Sequence, residues 1–304
     1  MEKIGKVKLD DTYYSGKDLY SDGEIEEKLL TIAQKHTEEE LNQVIARENS
    51  WPVMYHFSNI RQNIIDWLPI TKEEKVLEVG AGCGAITGAL ARKAGEVDCI
   101  ELSRKRSLIN AYRNKEHDNI KIIMGNFQDI EPNLDSTYDY ITLIGVFEYS
   151  QGYIQGENPY IRMLESIKGH LVPTGKIVVA IENRLGLKYW AGCTEDHVGR
   201  YFEGLEGYHT TKGVRTFSKK EWEKMIQETG LKAEFYYPYP DYKFPLSIYS
   251  DKYLPRKGEL NLNSYNFDRK KIELFDEGKV YDSLIEDEMF PVYSNSFLIL
   301  LERG

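Results

Sequence analysis

From Lys75 onward the chain alternates short apolar runs with amphipathic stretches, the pattern of a parallel sheet flanked by helices. The runs Val76–Val79, Val97–Leu102, Ile120–Met124, Tyr140–Ile144 and Ile177–Ile181 predict five parallel strands. Helical patterns open near Ala85, Arg104 and Pro159, the last with Ile161, Leu164, Ile167 and Leu171 at helical spacing. A further helix is expected from Ser218, with Glu221 as its capping partner and Gly230 as its stop. Leu231–Tyr237 and Phe297–Leu301 are apolar enough to add two strands at the end of the chain.

The first 70 residues read as mostly helical. Ser21 with Glu24 predicts a capping box ahead of EIEEKLLTIAQKH, and Thr37 with Glu40 another ahead of LNQVIAREN. A third stretch, 55–68, would place Phe57, Ile60, Ile64 and Trp67 on one side of a helix. Residues 184–216 and 238–295 break the alternation, and insertions of that length act as lids or carry elements of their own. The second is expected to contain a helix near 269–286. The organisation that follows is a helical cap over residues 1–70 and a domain over 71–304 with lid-like insertions at 184–216 and 238–295.

A net charge of −10 and a pI near 5.3 weigh against nucleic acid as the main partner, because a phosphate backbone needs clustered Lys and Arg. There is no run of about 18 apolar residues for membrane insertion, and the opening MEKIGKVKLDD lacks a signal peptide's apolar stretch, so a cytoplasmic protein is expected. Cys83, Cys99 and Cys193 are too scattered for a disulfide framework or a zinc site of paired cysteines, and no metal is expected.

The segment most informative about chemistry is VLEVGAGCGAITGAL, in which Gly80, Gly82 and Gly84 follow a strand and open a helix. Glycine is required where the backbone turns sharply and approaches a ligand closely. The spacing is Gly-x-Gly-x-Gly with Glu78 just before it, which differs from the Gly-x-Gly-x-x-Gly that cradles a pyrophosphate. Glu101 stands at the end of the next strand, in VDCIELS, where a carboxylate can accept hydrogen bonds from both hydroxyls of a ribose.

VLEVGAGCG, IELS, MGNFQDI, YDYITLIGVFEY and LVPTGKIVV resemble the successive motifs of class I S-adenosylmethionine-dependent methyltransferases over about residues 74–182. The resemblance implies a Rossmann-like α/β fold whose seven-stranded, mostly parallel sheet has an antiparallel last strand. It implies S-adenosylmethionine as cofactor and S-adenosylhomocysteine as product. Glu78, Gly80, Ala81, Gly82 and Gly84 would then lie near the methionine part, Glu101 and Leu102 at the ribose, and Asn126 with Phe127 around the adenine. Many members carry Asp where this chain has Asn126, and an amide can still bond the adenine edge. The strand ending at Ile144–Gly145 would lead to residues beside the transferring methyl, Val146, Phe147, Glu148 and Tyr149, with Gly145 and Val146 also contacting the cofactor. The Asn/Asp-Pro-Pro-Tyr sequence of many amino-methylating members does not occur at this place.

A hydroxyl acceptor calls for a base. The insertion RLGLKYWAGCTEDHVGRYFEGLEGYH gathers Glu195, Asp196, His197, Arg200 and Tyr201 after the fifth strand, where such folds bind ligands. His197 is the leading base, since its ordinary pKa lies near neutrality, and Glu148 and Tyr201 complete the catalytic candidates. His209 is a weaker candidate, and His56 and His170 are expected to be structural. DLYSDGEIEEKLL, YHFSNIRQNIIDWL and IENRLGLKYWAG resemble methyltransferases of bacterial surface-polysaccharide biosynthesis, which suggests a glycan or other small-molecule acceptor. Two further readings stay open: a noncatalytic S-adenosylmethionine-binding scaffold or sensor, and an NAD(P)-dependent oxidoreductase, which the glycine spacing disfavours.

Overall fold

The computed structural model describes residues 2–18, 20, 21, 23–266 and 269–304, so Leu19 and Asp22 of the DLYSDGEIEEKLL motif lie outside the described residues. The chain divides into two compact units, residues 1–143 with 166–177 and residues 144–165 with 178–304.

The first unit opens with β1 (Glu2–Ile4) and β2 (Val7–Asp10), two strands not foreseen in a stretch that reads as mostly helical. Val7 and Leu9 point to one face and are buried, and β2 pairs in parallel with a strand more than 100 residues away. Helices α1 (Ile25–Lys35), α2 (Leu41–Glu48), α3 (Trp51–Phe57) and α4 (Asn63–Asp66) follow. Then come β3 (Lys75–Val79), α5 (Thr87–Lys93), β4 (Glu96–Glu101), α6 (Arg104–Arg113), β5 (Ile120–Met124), α7 (Phe127–Ile130) and β6 (Tyr138–Ile144), whose last residue belongs to the second unit. The strand order here is β1-β2-β5-β4-β3-β6, with β1 antiparallel to β2 and the other pairs parallel.

Two expectations about the N-terminal helices need correction. Ser21 does not cap α1: its hydroxyl bonds the side chain of Glu26 and accepts from the amide of Gly23. The 55–68 stretch is not one helix, because Ser58 takes an extended conformation and its hydroxyl accepts the amide of Ile60, starting a separate short turn. The break leaves Ile60 and Trp67 exposed while Ile64, Ile65 and Leu68 are buried. The Thr37–Glu40 box forms as expected. The helices justify their position by burial: Leu29, Ile32, Leu41, Val44, Val53 and Phe57 share a core with Ile109 of α6 and Cys83 of the glycine loop.

The second unit contains α8 (Ser150–Tyr153), the start of α9 (Pro159–Gly169) and the end of β7 (Leu171–Glu182). These lead to α10 (Leu187–Trp190), α11 (Lys219–Thr229), β8 (Leu231–Tyr239), β9 (Ser247–Ser250), α12 (Glu277–Glu286), α13 (Phe290–Tyr293) and β10 (Ser296–Arg303). Its strands run β7-β10-β8-β9, so the last strand of the chain lies between two earlier ones and is antiparallel to β8. The described residues therefore carry the seven strands expected, with β1, β2 and β9 in addition. The helix expected near 269–286 begins only at Glu277; before it, the amides of Ile272 and Leu274 bond the carbonyls of Gly192 and Ala191.

α11 is fixed at its start by a complete capping box between Ser218 and Glu221, and Gly230 ends it in the left-handed conformation. Its Trp222 is fully buried and stacks on Phe147, centroids 4.7 Å apart, just before Glu148. Replacing Ser218 by Ala should lower stability by about 1 kcal/mol through the lost cap. An unchanged urea midpoint would mean that the bonds Glu221 accepts from Arg184 and Arg215 alone hold the helix start.

Candidate functional site

The glycine loop leaves β3 with Gly80, Gly82 and Gly84 all at positive φ, 71°, 53° and 78°. They serve different ends. A Cβ at Gly84 would lie 2.5 Å from Oδ1 of Asn110 and 2.7 Å from Nδ2 of Asn114, so the helix behind the loop leaves no room for one. A Cβ at Gly82 would meet nothing within 4 Å, so that glycine faces open space where a ligand could approach.

Glu101 closes the other side. Its Oε2 accepts the amide of Gly82 at 2.7 Å and its Oε1 accepts the amide of Ser103 at 2.8 Å. Burial raises its pKa, and these two N–H donors oppose the rise. Glu78 is buried behind the loop and accepts the Thr87 hydroxyl at 2.6 Å. Thr87 accepts from Asn110, which accepts in turn from Asn114. Burial pushes the Glu78 carboxyl up to about 7.

The remaining expected cofactor residues fall as follows. Ala81 in the loop donates its amide to the carbonyl of Ile100 in β4, and Leu102 is half-buried after Glu101. Asn126 is the cap residue of α7 and Phe127 its first, buried residue. Gly145 and Val146 lie in the second unit; a Cβ at Gly145 would stand 2.8 Å from the Tyr242 hydroxyl. The segment before α1 was missed by sequence reasoning. Tyr13 places its carbonyl against Gly125, Asp18 accepts the first amides of α6, and Tyr20 stacks under Arg106 with 4.4 Å to the ring centre. Its tyrosines and the DLYSDGEIEEKLL resemblance mark this segment in the sequence, but neither indicates a strap across the ends of β4 and β5.

In the second unit the structure brings His197 together with Glu148, and adds Glu182, which the sequence did not single out. Nδ1 of His197 lies 2.8 Å from Oε1 of Glu195; Nε2 lies 3.4 Å from Oε1 of Glu148 and 3.8 Å from Oε2 of Glu182. Glu195 also accepts the amides of His197 and Val198, both at 2.7 Å, and the Tyr208 hydroxyl at 3.0 Å. The ring of Tyr149 meets the imidazole edge-on at 5.4 Å. Lys243 bonds Glu182 and Asp196, and Lys188 bonds Asp196 at 2.9 Å.

Burial alone would pull the pKa of His197 down, but the charge of Glu182 and hydrogen bonds with Glu148 and Glu195 hold it well above the ordinary value. These carboxylates favour the protonated imidazole over the neutral form that a general base requires. Tyr201 is not part of the cluster: it is exposed and donates to the carbonyl of Lys270. Arg200 faces Thr210 and Glu203, and His209 is exposed. His56 is buried, its carbonyl accepting from Arg113, and His170 pairs with Glu131 at 2.8 Å.

Residues 77–177 match a protein-family model described as "Methyltransferase domain". Ribosomal RNA small subunit methyltransferase A of Borreliella afzelii is 36% identical over 98 residues, 32% of this chain and 35% of that protein. The protein of the same name from Listeria monocytogenes is 38% identical over 69 residues, 23% of each. The chain thus spans about a third or less of the length of these curated relatives. Among solved structures, a chain from the complex between the Haloferax volcanii Trm112 methyltransferase activator and a methyltransferase gives a TM-score of 0.51 at 17% identity. That match covers 87% of this chain and 98% of that one, and is a likeness of fold.

Two substitutions test this geometry. Gly84→Ala should cost several kcal/mol, because the new methyl meets both asparagines and the backbone is left-handed. A loss below about 1 kcal/mol in urea denaturation would mean that the loop and α6 can separate freely. Glu78 keeps its proton to about pH 7 in the folded chain but releases it near 4.5 when unfolded. Its contribution to stability is therefore complete below pH 4.5 and lost as pH rises through 7, a change of about 3 kcal/mol. Glu78→Gln cannot ionise, so its stability should gain on the wild type by that amount across the window; parallel pH profiles would show that Glu78 ionises without penalty.

The matched residues include the glycine loop and Glu101, and the chain accordingly carries a methyltransferase domain on a Rossmann-like α/β fold.

Proposed function

We propose that this chain is an S-adenosylmethionine-dependent methyltransferase that transfers its methyl group to an oxygen of a saccharide or another small polar metabolite. The observation that carries the reading is the carboxylate of Glu101, fixed beside the open face of Gly82 by two backbone donors. Each carboxylate oxygen spends one lone pair on an amide and keeps another for a hydroxyl, which suits a ribose diol. The loop has no pyrophosphate-binding spacing, and the buried carboxylates Glu78 and Glu101 suit a ligand that carries an ammonium and a sulfonium. Glu78, Gly80, Ala81, Gly82, Gly84, Glu101, Leu102, Asn126 and Phe127 are the residues of the first unit assigned to the cofactor.

For the acceptor, the saccharide reading draws on the second unit. The 184–216 insertion exposes Trp190, Tyr201 and Phe202, rings of the kind that stack on a pyranose face. Ribosomal RNA, in the names of the partial relatives, is the competing acceptor; the net charge of −10 weighs against a phosphate backbone. His197 and Glu148 remain the acceptor-side candidates, and Tyr201 serves as part of the aromatic surface. No helix among the described residues is long and apolar enough to cross a membrane.

Glu101→Ala should weaken S-adenosylhomocysteine binding by about 1–3 kcal/mol, through loss of charge-assisted hydrogen bonds. Calorimetry reads this directly, and an unchanged dissociation constant would remove Glu101 from the site. Saturable heat with NAD in place of S-adenosylhomocysteine would overturn the cofactor assignment. For the acceptor, methyl-labelled donor is incubated with cell extract and the product treated with ribonuclease. Label in a ribonuclease-resistant polar fraction is expected; label lost on digestion points to RNA, and an intact donor points to a noncatalytic binder.

A further inference from the structure

Three side chains in the second unit, Glu148, Glu182 and His197, present one ligand atom each, all within 4.8 Å of one another. Sequence reasoning gave no hint of it, because the residues follow none of the short spacings that mark metal motifs. Both glutamates are essentially buried, 1% and 0% exposed, and Oε2 of each has no hydrogen-bond partner among the described residues. A carboxylate oxygen withdrawn from water without a donor is costly, so two side by side need an account.

Hydrogen bonding to His197 does not supply one. Its Nε2 makes a long contact of 3.4 Å with Oε1 of Glu148, which leaves Oε2 of that residue unanswered, and it stands 3.8 Å from Oε2 of Glu182, beyond hydrogen-bond reach. The 3.4 Å separation is close to that of a different arrangement, and the 3.8 Å one is somewhat wider. Ligand atoms 2.0–2.1 Å from a common tetrahedral centre stand about 3.3 Å apart. The other ring nitrogen is already engaged: Nδ1 lies 2.8 Å from Glu195, which is itself locked by two backbone amides and the Tyr208 hydroxyl. A carboxylate on one imidazole nitrogen fixes the ring and directs the lone pair of the other outward, the usual support for a metal-bound histidine.

Charge points the same way. Glu148, Glu182, Glu195, Asp196 and Asp241 are five carboxylates, set against Lys188, Lys243 and the imidazole. Carboxylates outnumber the cationic side chains in this cluster. The ammonium of Lys243 sits on Oε1 of Glu182 and leaves Oε2 turned toward His197.

We propose that Glu148, Glu182 and His197 bind a divalent transition-metal cation of the zinc or manganese type, with Glu195 as the residue that orients the histidine. One imidazole and two carboxylates suit such ions, and three protein ligands leave a coordination position open for water or a ligand oxygen. The site lies wholly within the second unit and stands or falls independently of the cofactor reading.

The test uses the full chain, stripped with a chelator and desalted, then titrated with Zn2+ and separately with Mn2+ against a chromophoric competitor. One equivalent should bind saturably and raise the melting temperature. Glu182→Gln should weaken binding at least tenfold. Glu195→Gln, which spares all three ligands, should weaken it about 10- to 100-fold. S-adenosylhomocysteine titration of each variant reports whether the chain remains folded and keeps the cofactor question separate. Should a variant fail to fold, Co2+ added to the wild-type protein decides. Visible absorption of oxygen- and nitrogen-ligated cobalt is expected, whereas a sulfur-to-cobalt charge-transfer band would move the ion to a cysteine and overturn the site. Absence of saturable binding, or equal affinity in wild type and folded Glu182→Gln, overturns it as well.

Discussion

The two hydrogen bonds that Glu101 accepts, from Gly82 and from Ser103, are the constraint on which the cofactor face of the first unit depends. They tie the end of β4 to the loop leaving β3, while the carbonyl of Glu101 takes the amide of Gly125 after β5. Three consecutive strand ends are thereby held in one register without any side chain filling the space over Gly82. A carboxylate anchored in this way needs no reorganisation to meet a diol. Glu78 has weaker support, a hydroxyl and a thiol in place of two amides, which is why burial moves it up to about 7. The asparagine–threonine chain behind it makes Glu78 part of the packing between α5 and α6 as much as part of a ligand face.

What could be read from the sequence followed the range of the interactions involved. β3 to β7, α6, α9 and α11 each bury a periodic face, and their signals lie within a dozen neighbouring residues. β1 and β2 are too short to show a period, and β2 exists because β5 offers it an edge. The 55–68 stretch has helical periodicity, yet the hydroxyl of Ser58 competes for a backbone amide and cuts it in two. Residues 269–276 failed as helix for the opposite reason: their backbone groups find partners in the distant loop at Ala191 and Gly192.

The candidate sites divide along the same line. The loop glycines and Glu101 were legible because backbone conformation and strand-end position are local consequences of sequence. The gathering of Glu148, Glu182 and Lys243 about His197 was not, since it depends on β7, the 184–216 insertion and the turn after β8 folding together. Tyr201 shows the converse error. It is close to His197 in sequence, but the chain turns at Gly199, φ 68°, and carries it to the surface.

The two carboxylate groups also differ in what they are prepared to receive. In the first unit Glu101 already has a neutral donor on each oxygen, a setting that accepts further hydroxyls without a change of charge. In the second unit Glu148 and Glu182 each keep a buried oxygen with no donor among the described residues, beside an imidazole fixed from behind. Neutral hydroxyls would relieve that deficit one lone pair at a time, whereas a single compact cation relieves both oxygens and the excess charge at once. The Nε2 atom of the imidazole can hold a proton or lend its lone pair to a metal, but not both, so cation binding at this point competes with protonation.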